Sequence, residues 1–198
     1  MTKTTHLSDE PKKRRAFSGT ATPATTSTAV NLNNIFKVTS AKEDAAFSAP
    51  TSSMQGTWYM VDNLFEKNGW GCRDEYFEFK PGNQVVAWKQ SVFDPSIWVG
   101  KVGTMTRTHQ DFTITFKSGV KCLVKGKSTA GMSERGKYIY NQTLQEHKKE
   151  QSSQVWKCKL KILEKDYMLF TVTHVDSFYS GEDYKLVKQA QLDKLNLK

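Results

Sequence analysis

The chain has 198 residues, 37% of them hydrophobic and 25% charged, and 29 Lys and Arg against 20 Asp and Glu give a formal net charge of +9. No window approaches the roughly 18 consecutive apolar residues of a membrane helix, and the first residues lack the apolar stretch of a signal peptide, so no membrane span is expected. Three cysteines cannot close a disulfide framework, and the expected compartment is a reducing one, cytoplasmic or nuclear.

Residues 1–50 hold none of the five Trp, seven Tyr or three Cys. Their run Thr20-Ala21-Thr22-Pro23-Ala24-Thr25-Thr26-Ser27-Thr28-Ala29 presents no large side chain to pack, and such a segment does not offset its ordering entropy. They are therefore expected to form a flexible basic tail ahead of one folded domain, 51–198, with the boundary near Ala49–Met54. Within the tail, Val30 to Val38 carries enough apolar residues to dock on a surface. Lys12-Lys13-Arg14-Arg15 is a compact basic run of the kind that serves nuclear import or phosphate binding, and it is the expected contact for an RNA or protein partner.

From Gly56 onward, short runs of β-branched and aromatic residues alternate with Gly, Asn and Asp punctuation. Ten strands are predicted: Gln55–Val61, Glu75–Lys80, Gln84–Phe93, Trp98–Arg107, Asp111–Phe116, Val120–Lys125, Gly136–Leu144, Gln154–Leu163, Tyr167–His174 and Asp183–Lys188. Crossover helices do not fit between them, so hairpins join consecutive strands. Pro81-Gly82-Asn83, Lys117-Ser118-Gly119 and Glu164-Lys165-Asp166 are hairpin-sized connections. Phe112, Ile114 and Phe116 alternate with polar neighbours, as do Trp156, Cys158, Leu160 and Ile162, which gives one apolar and one wet face. Closure removes the edges of such a meander, so the expected fold is all-β, an antiparallel up-and-down barrel of eight to ten strands, with a sandwich as the alternative. Asp62–Cys72 is expected as a large loop or short helix across a barrel mouth, and Lys185–Leu197 as a short terminal helix with Leu192 and Leu195 away from its apolar side.

The opening of the folded part, Met54-Gln55-Gly56-Thr57-Trp58-Tyr59-Met60-Val61, resembles the Gly-x-Trp start of the first strand in the calycin superfamily of lipocalins, fatty-acid-binding proteins and avidins. The resemblance implies an eight-stranded barrel whose Trp fills the closed end, with a small apolar molecule admitted at the open end. It also implies a basic residue on the last strand packed over that Trp. Gly56 and Trp58 carry the motif, and Lys185 or Lys188 takes the basic position.

Catalytic and metal chemistry find no support in the spacings. His6, His109, His147 and His174 stand apart from one another and from Cys72, Cys122 and Cys158, so no metal site, cofactor or catalytic set is expected. His109 reads as a turn residue, and His174 as a strand end beside Asp176. Lys117, Lys121, Lys125 and Lys127, with Lys157, Lys159, Lys161 and Lys165, are candidates for a positive outer face serving an interaction module with a packed barrel. The aromatic excess points to a ligand cavity lined by Trp88, Trp98, Phe112, Tyr138, Tyr140 and Trp156. The expected activity is non-enzymatic binding of a small hydrophobic or aromatic molecule.

Overall fold

The structure is a computed structural model and describes residues 31–65, 69–92 and 94–195. Its strands are β1 (Gly56–Phe65), β2 (Gly69–Lys80), β3 (Gln84–Gln90), β4 (Ile97–Thr108), β5 (Asp111–Phe116), β6 (Leu123–Gly126), β7 (Gln154–Leu163), β8 (Tyr167–Val175) and β9 (Phe178–Lys188). Its helices are α1 (Leu32–Ile35), α2 (Ser40–Ser48), α3 (Glu134–His147) and α4 (Gln189–Leu195). Every pairing is antiparallel, and β3–β4 contacts join the two ends of the order β3-β2-β1-β9-β8-β7-β5-β4. The result is an eight-stranded closed antiparallel barrel with a short C-terminal helix, an architecture consistent with the calycin superfamily in general. Among the described residues, no helix is long and apolar enough to cross a membrane.

Alternation along the strands builds two cores. Inward residues such as Trp58, Phe77, Phe116, Leu160, Phe170 and Leu186 fill the barrel. Outward residues Val61, Ile162, Leu169 and Val187 pack beneath Leu32 and Phe36 at α1 and Leu192 on α4. Bulges make this possible: the register of β7 against β8 shifts between Leu160 and Ile162, so Ile162 joins the outer cluster while Leu163 stays in the inner one.

At the closed end, residues Thr51–Met54 form a 3-10 turn. The Met54 carbonyl accepts a 2.7 Å hydrogen bond from Trp58 Nε1. Trp58 is fully buried, and the Lys188 ammonium lies 4.0 Å from its ring centroid while donating to the Gln55 carbonyl at 2.7 Å. Gly56 is required here because its φ of +120° is strained for other residues and a Cβ would collide with Lys188 Nζ. The Gly-x-Trp signal thus has a local cause, and Lys188 rather than Lys185 covers the Trp.

Several expectations need correction. Residues 31–50, read as part of a flexible tail, contribute α1 and α2, and Ala46 of α2 enters the inner core with no exposed surface. Capping by Asn31 and Thr39 starts these helices, and their few apolar side chains suffice because the barrel supplies the other half of each contact. Of residues 62–72, expected as a capping loop or helix, 62–65 and 69–72 are strand, because β1 and β2 pair as far as Phe65–Gly69, and 66–68 lie outside the described residues. The segment Gly136–Leu144 is helical within α3. Ser133 accepts from the Gly136 amide at 3.2 Å, and Glu134 favours the first turn. Its Tyr-Ile-Tyr run mimics a strand, but Gln142, Leu144, Gln145 and Glu146 continue it as good helix formers. Gly119 turns with φ +78°, yet β6 pairs with β4 rather than with β5. At the C-terminus β9 extends to Lys188 before α4 begins, which changes the face and buries Leu192.

Candidate functional site

The open end is where the β3–β4 and β8–β9 connections lie and where the chain leaves the barrel after β5 for β6 and α3. The residues below it form a cavity of about 570 Å³. Alternation puts Glu75 and Phe77 of β2, Ala87 and Lys89 of β3, Val99 and Lys101 of β4, Gln154 and Trp156 of β7, and Glu182 and Tyr184 of β9 on its wall. The floor is aromatic. Phe77 meets Trp156, Phe170 and Tyr184 with ring centroids 6.3, 5.8 and 5.6 Å away, all edge to face, and Phe116 meets Trp156 at 5.5 Å. Edge-to-face contacts hold these rings at fixed angles, so the floor is a rigid apolar surface.

The rim is charged. Lys89 Nζ bonds Glu75 at 2.7 Å, while Lys101 Nζ donates to Gln154 Oε1 at 3.4 Å. Glu182 accepts from the Tyr184 hydroxyl at 3.4 Å, and burial pushes that phenol well above its ordinary range, so Tyr184 is a neutral donor. Burial raises the Cys122 thiol as well, with a smaller opposing pull from Lys101. Burial pushes the Cys158 thiol up to about 12, so it behaves as a small apolar side chain below the cavity. Ser91 Oγ and His147 Nε2 are 2.9 Å apart at the rim, tying the end of α3 to the residue after β3.

Of the six residues expected to line a pocket, Trp88 and Trp156 border this cavity. Trp88 nevertheless belongs by alternation to the outer face, where its ring stacks on Tyr76 at 5.7 Å beneath the Lys125 ammonium at 4.0 Å. Trp98 packs against the same outer cluster, 5.0 Å from Tyr76. Phe112 lies in the inner core, 5.2 Å from Phe170. Tyr138 and Tyr140 ride on α3, outside the barrel interior. Tyr138 is 63% exposed, whereas Tyr140 is buried with its hydroxyl 3.0 Å from the Lys127 carbonyl. Phe77, Phe116, Tyr184, Lys101 and Gln154 escaped the sequence reading. One signal for them existed: Lys89 and Lys101 occupy positions whose alternation with Val85, Ala87 and Met105 points inward.

The expected positive face is interrupted. Lys125 bonds Glu78 at 2.7 Å, and Lys161 pairs with Asp183 at 3.2 Å. His174 contacts the Tyr179 ring at 5.8 Å, while Asp176 accepts from the Val155 amide at 2.8 Å, so the two do not act as a pair. His109 is a turn residue, with φ +55°. Lys12, Lys13, Arg14 and Arg15 lie outside the described residues. Among the described residues, no group of three or more His, Cys, Asp or Glu side chains is arranged to hold a metal ion. Compared with known proteins, the chain matches no family model, no curated sequence and no solved structure.

Proposed function

We propose that the chain binds a small hydrophobic or aromatic molecule at the open end of its barrel, in the manner of a lipocalin or fatty-acid-binding protein. The observation that carries this reading is the cavity of about 570 Å³ above a floor of Phe77, Phe116, Trp156 and Tyr184. Its size falls in the range of small-molecule sites, and apolar walls with a few polar groups at the rim are their usual chemistry. Apolar area supplies the affinity at about 25 cal/mol per Å² removed from water, and the rim selects orientation. The closed end supports the family reading, because Trp58 and Lys188 stand in the relation that the Gly-x-Trp motif implies.

Trp156 reports occupancy directly. Titrating the full chain with a neutral apolar ligand such as 2-naphthalenemethanol should change tryptophan emission saturably, with one molecule bound per chain. Ala87 lies on the wall and is small, so Ala87→Phe should fill the space and weaken binding at least about tenfold while the circular dichroism spectrum is retained. A linear, non-saturating response, or equal binding by Ala87→Phe, would overturn the assignment to this cavity.

A further inference from the structure

Strands β5 and β7 pair with each other, yet the chain between them, residues 117–153, leaves the barrel to build β6 and α3. This excursion concentrates charge. It holds eight Lys and Arg against Glu134, Glu146 and Glu150, which places +5 of the chain's net +9 in under a fifth of its length. Lys125 is neutralised by Glu78 and Lys137 by Glu134, each at 2.7 Å. The other six, Lys117, Lys121, Lys127, Arg135, Lys148 and Lys149, are exposed, and none makes an ion pair among the described residues. Backbone contacts gather several of them around α3. The Lys127 carbonyl accepts from the Tyr140 hydroxyl at 3.0 Å. Lys148 and Lys149 follow the last turn, where the Lys149 carbonyl accepts from the Cys122 amide at 2.9 Å, next to Lys121. Tyr140 and Leu144 lie against Gly126 on β6, so Arg135, Tyr138, Gln142 and Gln145, spaced three or four residues apart, share the opposite, exposed face.

Tyr138 is 63% exposed, and its hydroxyl accepts a 2.7 Å hydrogen bond from Gln142 Nε2 one turn on, which ties the ring to the helix surface. A guanidinium, a ring and two amides along one face do not make the contiguous, charge-depleted centre of a protein–protein interface. They are the parts of a single-strand surface, where cations meet phosphates and a ring stacks on a base. We propose that α3 and the lysines that follow it bind single-stranded nucleic acid. One unpaired base stacks on Tyr138, Arg135 takes a phosphate at one end of the helix, and Lys148 and Lys149 take phosphates at the other. The Gln142 and Gln145 amides lie along the same face, within reach of the sugar and base edges. This surface is outside the barrel and independent of the cavity.

Fluorescein-labelled oligouridine, oligothymidine and a duplex RNA of equal length are titrated into the full chain at salt concentrations between about 50 and 200 mM. Both single strands should bind more tightly than the duplex, and the tighter of the two identifies the preferred sugar. Contact with about three phosphates predicts a slope of about −2 for the logarithm of the binding constant against that of salt. Tyr138→Ala should weaken single-strand binding at least about fivefold with the slope unchanged, and Tyr138→Phe should keep most of the affinity. Lys148→Gln combined with Lys149→Gln should flatten the slope by about one or more. Equal binding by the duplex or by Tyr138→Ala would overturn the proposal, as would equal competition by poly-L-glutamate, which marks an undifferentiated cationic surface. Changing Lys12, Lys13, Arg14 and Arg15 to Gln should leave the Tyr138 effect in place, and abolished binding in that variant would overturn the assignment to α3. Binding to phosphatidylserine vesicles but to neither single strand would overturn it as well.

Discussion

At the scale of single residues, an inconspicuous side chain closes a gap in the sheet. On one edge of β4, β5 covers residues Gly103–Thr108 and β6 covers Ile97–Gly100, so Val102 faces neither strand. Gln151, 4% exposed, takes the place of a strand there. Its Oε1 accepts from the Val102 amide at 2.8 Å, and its Nε2 donates to the Val102 and Lys117 carbonyls at 2.6 and 3.0 Å. Gln151→Ala would leave these backbone groups unpaired, at about 1–3 kcal/mol for each that water does not reach. Urea unfolding should show a loss of at least about 2 kcal/mol, and a change under about 0.5 kcal/mol would contradict the role assigned to Gln151. Glu78 gives a pH prediction. Burial raises its carboxyl, but hydrogen bonds and charge from Lys125 and Lys80 outweigh that and leave it below its ordinary 4.5. A depressed folded value means the unfolded chain binds the proton more readily, so the contribution is complete above pH 4.5 and vanishes as pH falls through the folded value. Glu78→Gln should accordingly lower stability at neutral and mildly alkaline pH and change it little in acid, which flattens the acid limb; an equal loss at every pH in urea unfolding would contradict the assignment.

Among elements, α1 and α2 change what counts as the folded unit. The β1–β9 seam pairs only from Trp58–Lys188 to Met60–Leu186, and the outer side chains Val61 and Val187 beside it are buried under Leu32, Phe36 and Leu192. Each fully buried Leu or Phe contributes about 1.5–3 kcal/mol, and Leu32 and Phe36 are the principal α1 contributions. A chain beginning at Thr51 should therefore be less stable than one beginning at Asn31 by at least about 3 kcal/mol, or should aggregate through the exposed outer cluster. Equal melting temperatures for the two would show that the helices only decorate the barrel. Helix α3 teaches the converse lesson. Its β-rich composition misled the strand assignment, yet Tyr140 has a specific seat: Gly126 on β6 leaves room for its ring, and a Cβ there would collide with the hydroxyl. Neither the Ser133 cap nor the seat at Gly126 entered the strand assignment, because the first was outweighed by the Tyr-Ile-Tyr run and the second depends on how β6 and α3 pack.

In the whole molecule, the barrel divides labour between its ends. The closed end is overdetermined: Trp58, Met54, Ala46 and Lys188 fill or cover it with hydrogen-bonded and packed contacts. At the open end the inward positions change from aromatic to charged, and a cavity remains. An apolar floor beneath a polar rim is the usual arrangement of a small-molecule site, with apolar depth for affinity and polar groups for orientation. Most of the meander could be read from alternation and turn chemistry, since a side chain's face is set by its parity along the strand. The Gly-x-Trp start was legible for the same local reason. Which aromatics share a cavity was not legible: Trp88 and Trp98 turned outward, Phe112 went into the packed core, and Tyr138 and Tyr140 left the barrel with α3. Strand parity says that two residues lie on opposite faces, but not which face becomes the inside or at what height a neighbouring strand places its own residues. By itself the sequence determined an all-β meander with a Gly-Thr-Trp opening, because those are properties of local backbone preference and period. Only the tertiary structure decided that Lys101, Gln154 and Trp156 border one cavity, because closure of the barrel sets the register between strands far apart in the chain.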